Sequence, residues 1–335
     1  MKCIPLYGLI LLWILPASAQ QRPQYTQYIL NNYILNPALS GIENYVDVKV
    51  SARDQWVGLS GAPRTAYFSI HAPIGKQDLK TSATSYAIPG ANPRGNAYWQ
   101  NYTASASHHG VGFNIVSYKT GLYNQFSAVA SYAYHIGLSP RTNMAVGFAG
   151  GIRKIGYDRS KATPADINDP ALGIGDNAAY KLKPDLSAGI WVYSSSYFFG
   201  LSGQQIIPQQ IALNDSLGFK LIPHIFATAG YRFLVNDDVN VIPSLMVKYV
   251  NPLDPQVDLN IKFQYRDIFW MGGSYRFENG YAAMLGLNAG NTFNVGYAYD
   301  FTRTALNTAS RGTHEVIIGF LIGNRYGDTC PRNVW

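Results

Sequence analysis

The stretch Val257-Asp258-Leu259-Asn260-Ile261-Lys262-Phe263-Gln264-Tyr265-Arg266 puts its apolar residues on one parity and its polar residues on the other. Successive side chains of a β-strand point to opposite faces, so these ten residues predict a strand with one oily and one polar face. The rule repeats near both ends of the chain. Phe293, Val295, Tyr297, Tyr299 and Phe301 oppose Asn294, Gly296, Ala298 and Asp300, and Val46, Val48 and Val50 oppose Asp47, Lys49 and Ser51.

Weaker versions occupy 66–72, 111–118, 126–136, 144–155, 186–193, 197–203, 225–233, 239–249, 268–277, 281–289 and 314–322, giving about fourteen segments in all. Each is roughly nine to eleven residues long, the length that a tilted strand needs to cross a hydrocarbon layer. An even count suits a single-chain barrel. The fold class expected is therefore all-β, a transmembrane antiparallel β-barrel of about fourteen strands with a short amino-terminal periplasmic segment.

Connections such as Ser194-Ser195-Ser196, Val235 to Asp238 and Ala289-Gly290-Asn291 are tight, whereas Asp158 to Leu182 and Gln204 to Ile222 are long. Short turns on one rim and long loops on the other are the expected arrangement. Pro73 to Ser107 breaks it, since it makes a long connection on the periplasmic rim. A soluble β-sandwich would show the same alternation with the oily face turned inward. Against it stand the many Gly, Ala and Ser residues among the Arg, Lys and Asp of the polar parity.

Composition points the same way. Only 13% of residues are charged and 14% are aromatic, with 25 Tyr and 32 Gly, a balance that fits a wall with one apolar face and aromatic girdles. The chain opens with Lys2, an apolar run from Leu9 to Leu15, Pro16 and Ala17-Ser18-Ala19. This reads as a signal peptide cut after Ala19. The expected organisation is a signal peptide over 1–19, a periplasmic segment over 20–43, the outer-membrane barrel over 44–323 and a tail over 324–335. Cleavage leaves Cys330 as the sole cysteine, which excludes an intramolecular disulfide and a cysteine zinc cluster. No later run approaches the roughly 18 apolar residues of a membrane helix. The formal charge of +7 is scattered, so nucleic acid is not an expected partner, while outer-membrane lipid is.

Motifs for chemistry are weak. Gly173-Ile174-Gly175 with Ala178 lacks the preceding strand and following helix of a dinucleotide site. Asp166, Asn168, Asp169 and Asp176 miss calcium-loop spacing and read as a solvated loop. His71, His108, His109, His135, His224 and His314 form neither a metal-binding helix nor a recognisable triad. No enzyme, cofactor or metal is expected. Asp47, Lys49, Asp258, Lys262 and Arg266, together with Arg53, are candidate lumen residues, either pairing across strands or simply lining the interior.

Residues 25–35 form an amphipathic stretch with Tyr25, Tyr28, Ile29 and Tyr33 at helical spacing. It either packs in the barrel's periplasmic mouth or leads in without structure. Pro37 fixes its own φ and biases Asn36 away from helix, so Asn36-Pro37 should end any such helix. The connection from Gln55-Trp56 to Gly61-Ala62-Pro63 joins the first two strands and should face outside the cell. Trp56 there is an interface anchor or a partner contact. Trp335 follows the last strand by about a dozen residues, too far to serve plainly as a barrel-insertion signal.

Taken in order, Gln24-Tyr25-Thr26-Gln27-Tyr28, Asn36-Pro37-Ala38 with Gly41, Arg53-Asp54-Gln55-Trp56, Gly61-Ala62-Pro63, Ser131-Tyr132-Ala133-Tyr134, Gly230-Tyr231-Arg232, Pro243-Ser244, Gly296-Tyr297-Ala298-Tyr299-Asp300 and Gly312-Thr313-His314-Glu315 resemble the PorP/SprF family. That family comprises membrane proteins associated with type IX secretion in Bacteroidota. Residues 75–107 look like an insertion relative to it, and Cys330-Pro331-Arg332 is similar to the short tail of some members. The resemblance implies an outer-membrane, non-enzymatic role in exporting or retaining a large secreted adhesin, used in gliding or attachment, through that partner's carboxy-terminal domain and alongside type IX components. It marks Gln27, Tyr28, Asn36, Pro37, Gly41, Arg53, Gln55, Trp56, Gly61, Pro63, His314 and Glu315 as motif or partner-contact candidates. A porin or solute channel is the competing expectation. An outer-membrane hydrolase would need a Ser, His and acidic set on matching strand ends, which the sequence does not offer.

Overall fold

The computed structural model describes residues 24–76, 104–158, 178–214, 217–236, 238–266, 268–277, 279–290, 292–303 and 310–324. The proposed signal peptide, the Gly173-Ile174-Gly175 motif, the acidic run 166–176, most of the 75–107 insertion and the tail bearing Cys330 and Trp335 lie outside the described residues.

Strands β1 (Val46–Asp54), β2 (Arg64–Ile74), β3 (His108–Thr120), β4 (Tyr123–Ser139), β5 (Thr142–Asp158), β6 (Ala178–Tyr193) and β7 (Tyr197–Gln204) follow one another as antiparallel neighbours. A separate hairpin, β8 (Gln209–Asn214) with β9 (Leu217–Leu221), interrupts the run before β10 (His224–Tyr231). The short β11 (Phe233–Leu234) pairs with the start of β12 (Val239–Tyr249), and the wall continues through β13 (Gln256–Tyr265), β14 (Phe269–Arg276), β15 (Gly280–Ala289), β16 (Phe293–Thr302) and β17 (Thr313–Ile322). Pairing of β10 with β12 joins the two halves, and β1 pairs with β17, from Val46 opposite Ile322 to Asp54 opposite His314. Setting aside β8, β9 and β11, the wall is a closed antiparallel barrel of 14 strands.

The parity rule decides which way the wall faces. Leu259, Ile261 and Phe263 are 44%, 41% and 43% exposed on the outside, while Asp258 and Lys262 are 0% and 4% exposed inside. An oily exterior around a buried polar interior is the inverse of a soluble sandwich. Aromatic side chains gather at both edges of this surface. Tyr275, Phe277, Tyr281, Tyr299 and Phe301 cluster at one rim, and Tyr132, Tyr134, Tyr231, Phe233, Phe293 and Phe320 at the other. Such belts sit at the two lipid–water interfaces.

Four strands exceed the nine to eleven residues expected, β3 with 13 and the next three by more. β4 and β5 each have 17 residues and β6 has 16. Their surplus carries the wall beyond the oily band, where Lys154 on the outward parity stands 4.0 Å over the Tyr180 ring. The connections 55–63, 205–223 and 303–312 share that rim, and the turns 140–141, 194–196 and 290–292 share the opposite one. Arg266 corrects another expectation. It lies one residue past β13 with φ of 51°, pairing with Asp238 at 3.4 Å in a rim turn rather than lining the lumen. The strand ends at Tyr265, and the left-handed φ of Arg266 breaks the alternation that assigned its side chain to the lumenal face.

Candidate functional site

The lumen holds the chain's own amino-terminal segment. Residues 26–43 are buried without exception, as three short 3₁₀ turns, Gln27–Leu30, Asn32–Ile34 and Pro37–Leu39. The helical spacing of Tyr25, Tyr28, Ile29 and Tyr33 leaves open packing in the periplasmic mouth or an unstructured lead-in; the segment instead runs along the barrel axis from one rim to the other.

At the upper end Thr26 meets three strands. Its backbone N–H donates to Glu315 Oε2 at 2.7 Å, and its hydroxyl donates to Asp300 Oδ2 at 2.7 Å while accepting from Arg53 Nη1 at 2.6 Å. Arg53 also donates to Glu315 Oε2 at 2.8 Å and to Asp300 Oδ2 at 2.6 Å. Arg53 and Glu315 are register partners across the β1–β17 seam that closes the barrel. The Gln27 side-chain amide donates to the Glu315 carbonyl at 2.8 Å. Nearby, Arg276 Nε bonds both oxygens of Asp258 at 3.2 and 3.1 Å. Charges this deeply buried must be paired and hydrogen-bonded, and here fork-shaped guanidinium groups meet the carboxylates directly.

In the middle, Tyr28, Ile29, Leu30, Ile34 and Leu35 pack against inward Tyr67, Val116, Phe226, Met246, Trp270, Met284 and Ile317. A fully buried side chain of this kind contributes about 1.5–3 kcal/mol. One void left against Tyr28, Ile29 and Lys262 measures about 10 Å³, room for a single water at most. Polar bonds fix the height of the segment. Tyr28 OH accepts from Asn260 at 2.6 Å, Asn31 donates to Ser69 at 2.9 Å, and Gln204 donates to the carbonyls of Ile34 and Leu35 at 2.9 and 2.7 Å.

At the lower end the wall is cut away to receive backbone. A Cβ on Gly110 would collide with the Ser40 carbonyl, one on Gly147 with Ala38, and one on Gly189 with the Asn36 side chain. That same Asn36 caps the last turn, accepting from Ala38 N at 3.0 Å with Pro37 at the first helical position. Three histidines then hold residues 40 and 41. His135 Nε2 donates to the Ser40 carbonyl at 2.8 Å, His108 Nε2 lies 3.3 Å from the Gly41 carbonyl, and Gly41 N–H donates to His71 Nδ1 at 3.3 Å. His108 and His135 are stacked, their ring centroids 4.4 Å apart.

Most of the motif candidates thus converge on this segment and its seat. Gln27, Tyr28, Asn36, Pro37 and Gly41 belong to the segment, and Arg53 and Glu315 clamp it. Among the lumen candidates, Asp47 pairs with Lys49 and Asp258 with Arg276, while Lys262 is buried beside Tyr28. His314 faces outward, its Nδ1 2.7 Å from Tyr297 OH. Gln55, Trp56, Gly61 and Pro63 form the β1–β2 connection, where Gln55 N–H donates to the Pro63 carbonyl at 2.9 Å and Trp56 has φ of 50°. Trp56, Gln55, Gln24, Arg276 and Asp300 border an open hollow of about 150 Å³ at the upper rim. Sequence reasoning did not find the inward apolar set or the three-histidine clasp. Trp191, Trp270, Met246 and Met284 on the polar parity were the available signal.

No described group of three or more His, Cys, Asp or Glu side chains is arranged to hold a metal ion. No curated protein sequence matches the chain. Among solved structures, Omp33 of Acinetobacter baumannii aligns at 8% identity with a TM-score of 0.46, over 84% of this chain and 100% of its own. The toluene transporter TbuX of Ralstonia pickettii aligns at 9% and 0.45, over 88% and 92%, and a FadL homologue of Pseudomonas aeruginosa at 10% and 0.45, over 89% and 94%. The sequence profile of the type IX secretion system membrane protein family PorP/SprF matches residues 17–320, nearly the whole chain, and the protein belongs to that family.

Proposed function

We propose that the protein is a non-enzymatic component of the outer membrane that engages the carboxy-terminal domain of a large secreted surface protein, such as an adhesin, for export or attachment by the type IX route. Family membership supplies the secretion context. The observation that carries the reading is the lumen occupied over residues 26–43 by the chain's own segment. A folded secretion substrate does not share a lumen already filled, so the partner meets the barrel from a rim. The upper rim has the relief for it, with the Gln55–Pro63 connection, the β8–β9 hairpin and the hollow beside Trp56.

Affinity purification from the native membrane tests the proposal. The expected result is co-purification of a surface protein through its terminal domain together with type IX components; recovery of the barrel with neither overturns it. The porin alternative is separated by planar-bilayer recording, where a plugged barrel passes no steady current and a solute channel does.

A further inference from the structure

The amino-terminal segment enters the barrel from the rim opposite to the one where β1 begins. Gln24 Nε2 lies 3.4 Å from Gln256 Oε1 at the start of β13, and Thr26 sits at the height of Arg53, near the end of β1. From there the chain descends through Tyr28, Asn31 and Asn36 to Gly41, next to Gly110 near the start of β3, and turns into β1 at Val46. Val46 to Arg53 is seven steps of strand, about 23 Å of wall at ~3.3 Å per residue.

We infer that the chain upstream of Gln24 is delivered to the cell exterior, having been laid through its own lumen. This rests on the outer-membrane placement proposed above. The rim at Gln24 carries the 55–63, 205–223 and 303–312 connections, and the opposite rim carries the tight turns 140–141, 194–196, 266–268 and 290–292, with 75–107 as its one long exception. Long connections face outward and short turns face the periplasm. Reach excludes the alternative route. If the leader is cut after Ala19, four residues precede Gln24, and fully extended they cover roughly 14 Å. A return to the periplasm needs about 30 Å of hydrocarbon thickness, through a lumen that is already filled. Every polar contact of residues 24–27 reported above is to the upper wall, so the free end has its exit there and is open to a partner on the cell surface.

Single-cysteine variants in a Cys330→Ser background test this with a membrane-impermeant maleimide on intact and on permeabilised cells. Arg22→Cys and Gln24→Cys report the segment, Asp254→Cys in the 250–255 connection reports the proposed outer rim, and Arg141→Cys reports the inner rim. The expected result is that Arg22→Cys and Gln24→Cys, like Asp254→Cys, label as fully on intact cells as after permeabilisation, while Arg141→Cys loses most of its signal on intact cells. Labelling of both segment variants only after permeabilisation, with Asp254→Cys labelled on intact cells, overturns the inference and leaves the membrane placement standing. Labelling of Arg141→Cys but not Asp254→Cys on intact cells overturns it through the rim assignment. Recovery of all four variants in the soluble periplasmic fraction overturns the placement itself.

Discussion

The two ends of the lumenal segment are held by opposite chemistries. Above, one guanidinium and two carboxylates converge on Thr26, and the clamp spans the seam between the first and last strands. Below, the contacts to residues 36–41 are neutral, and the charges nearby act past them, Lys76 donating to the Ile42 carbonyl at 2.6 Å and Asp47 pairing with Lys49 behind His71. Glycine gaps at Gly110 and Gly147 admit backbone, and imidazoles hold the Ser40 and Gly41 amide groups. The difference reflects what each end must fix. A charged clamp tolerates no missing partner, because any survivor is a buried charge, so it locks the closing register of Arg53 against Glu315. The glycine seat fixes where the chain lies, and disturbing Gly110 or Gly147 unpairs no charge.

The largest expected effect therefore belongs to the clamp. Arg53→Ala removes the cation paired with buried Glu315 and leaves Asp300 only Arg276 at 3.8 Å, and should cost about 3–5 kcal/mol, read as a fall in the temperature at which the detergent-solubilised barrel unfolds on a gel. Arg53→Lys keeps the charge without the fork and should fall between. Equal stability of all three proteins would mean that the clamp does not hold the seam.

Next is the seat. Gly110→Ala and Gly147→Ala place a methyl group inside the backbone of residues 38–41, an overpacking of about 1–3 kcal/mol. Because the wall can stay intact while the segment shifts, the sensitive measurement is current across a planar bilayer, which should rise from none to a fluctuating channel. Gly273→Ala is the control. Its nearest neighbour is 3.8 Å from the new methyl group, and the barrel should stay closed. A silent Gly110→Ala channel would remove the steric account of the lower end.

The wall was legible in the sequence because lipid enforces its rule at every second residue. Val257 to Tyr265 and Phe293 to Phe301 cannot face the other way, and each of the fourteen segments reads as a strand of the barrel. The plug was not legible. Its residues form 3₁₀ turns shaped by the cavity, so the helical spacing from Tyr25 to Tyr33 left a mouth-bound stretch and an unstructured lead-in equally open, and the segment is neither. Gly110, Gly147 and Gly189 carry no distinguishing mark in the sequence, since nothing in one sequence tells space for water from space for backbone. Ile242 and Met246 were the better clue: β12 carries them on the same parity as Asn240 and Lys248, and an apolar side chain pointing into a barrel needs something apolar to meet. Arg53 and Glu315 were marked by family resemblance without the reason, which lies in a register 262 residues apart in sequence.

A smaller effect should follow loss of one histidine of the clasp. His135→Ala leaves the Ser40 carbonyl and the Tyr193 hydroxyl, 3.0 Å from His135 Nδ1, without that partner. Two neutral buried bonds at about 0.5–1.5 kcal/mol each put the loss below that of Arg53→Ala, measured by the same unfolding gel. A loss as large as that of Arg53→Ala would show that the two ends do not differ as described.

The smallest effect lies one residue from the largest. Asp54 follows Arg53 on β1 but points outward, where it meets Arg64 at 3.2 Å with side chains 56% and 76% exposed. The pair joins the same two kinds of charge at nearly the same height as the clamp, with one carboxylate instead of two and on the other face of the strand. Water solvates both ions and salt screens them, so Arg64→Ala should shift stability by less than about 1 kcal/mol, and less still at high ionic strength. If Arg64→Ala instead matched Arg53→Ala, burial would not be what distinguishes the clamp, and the contrast between the inside and outside of this wall would need another cause.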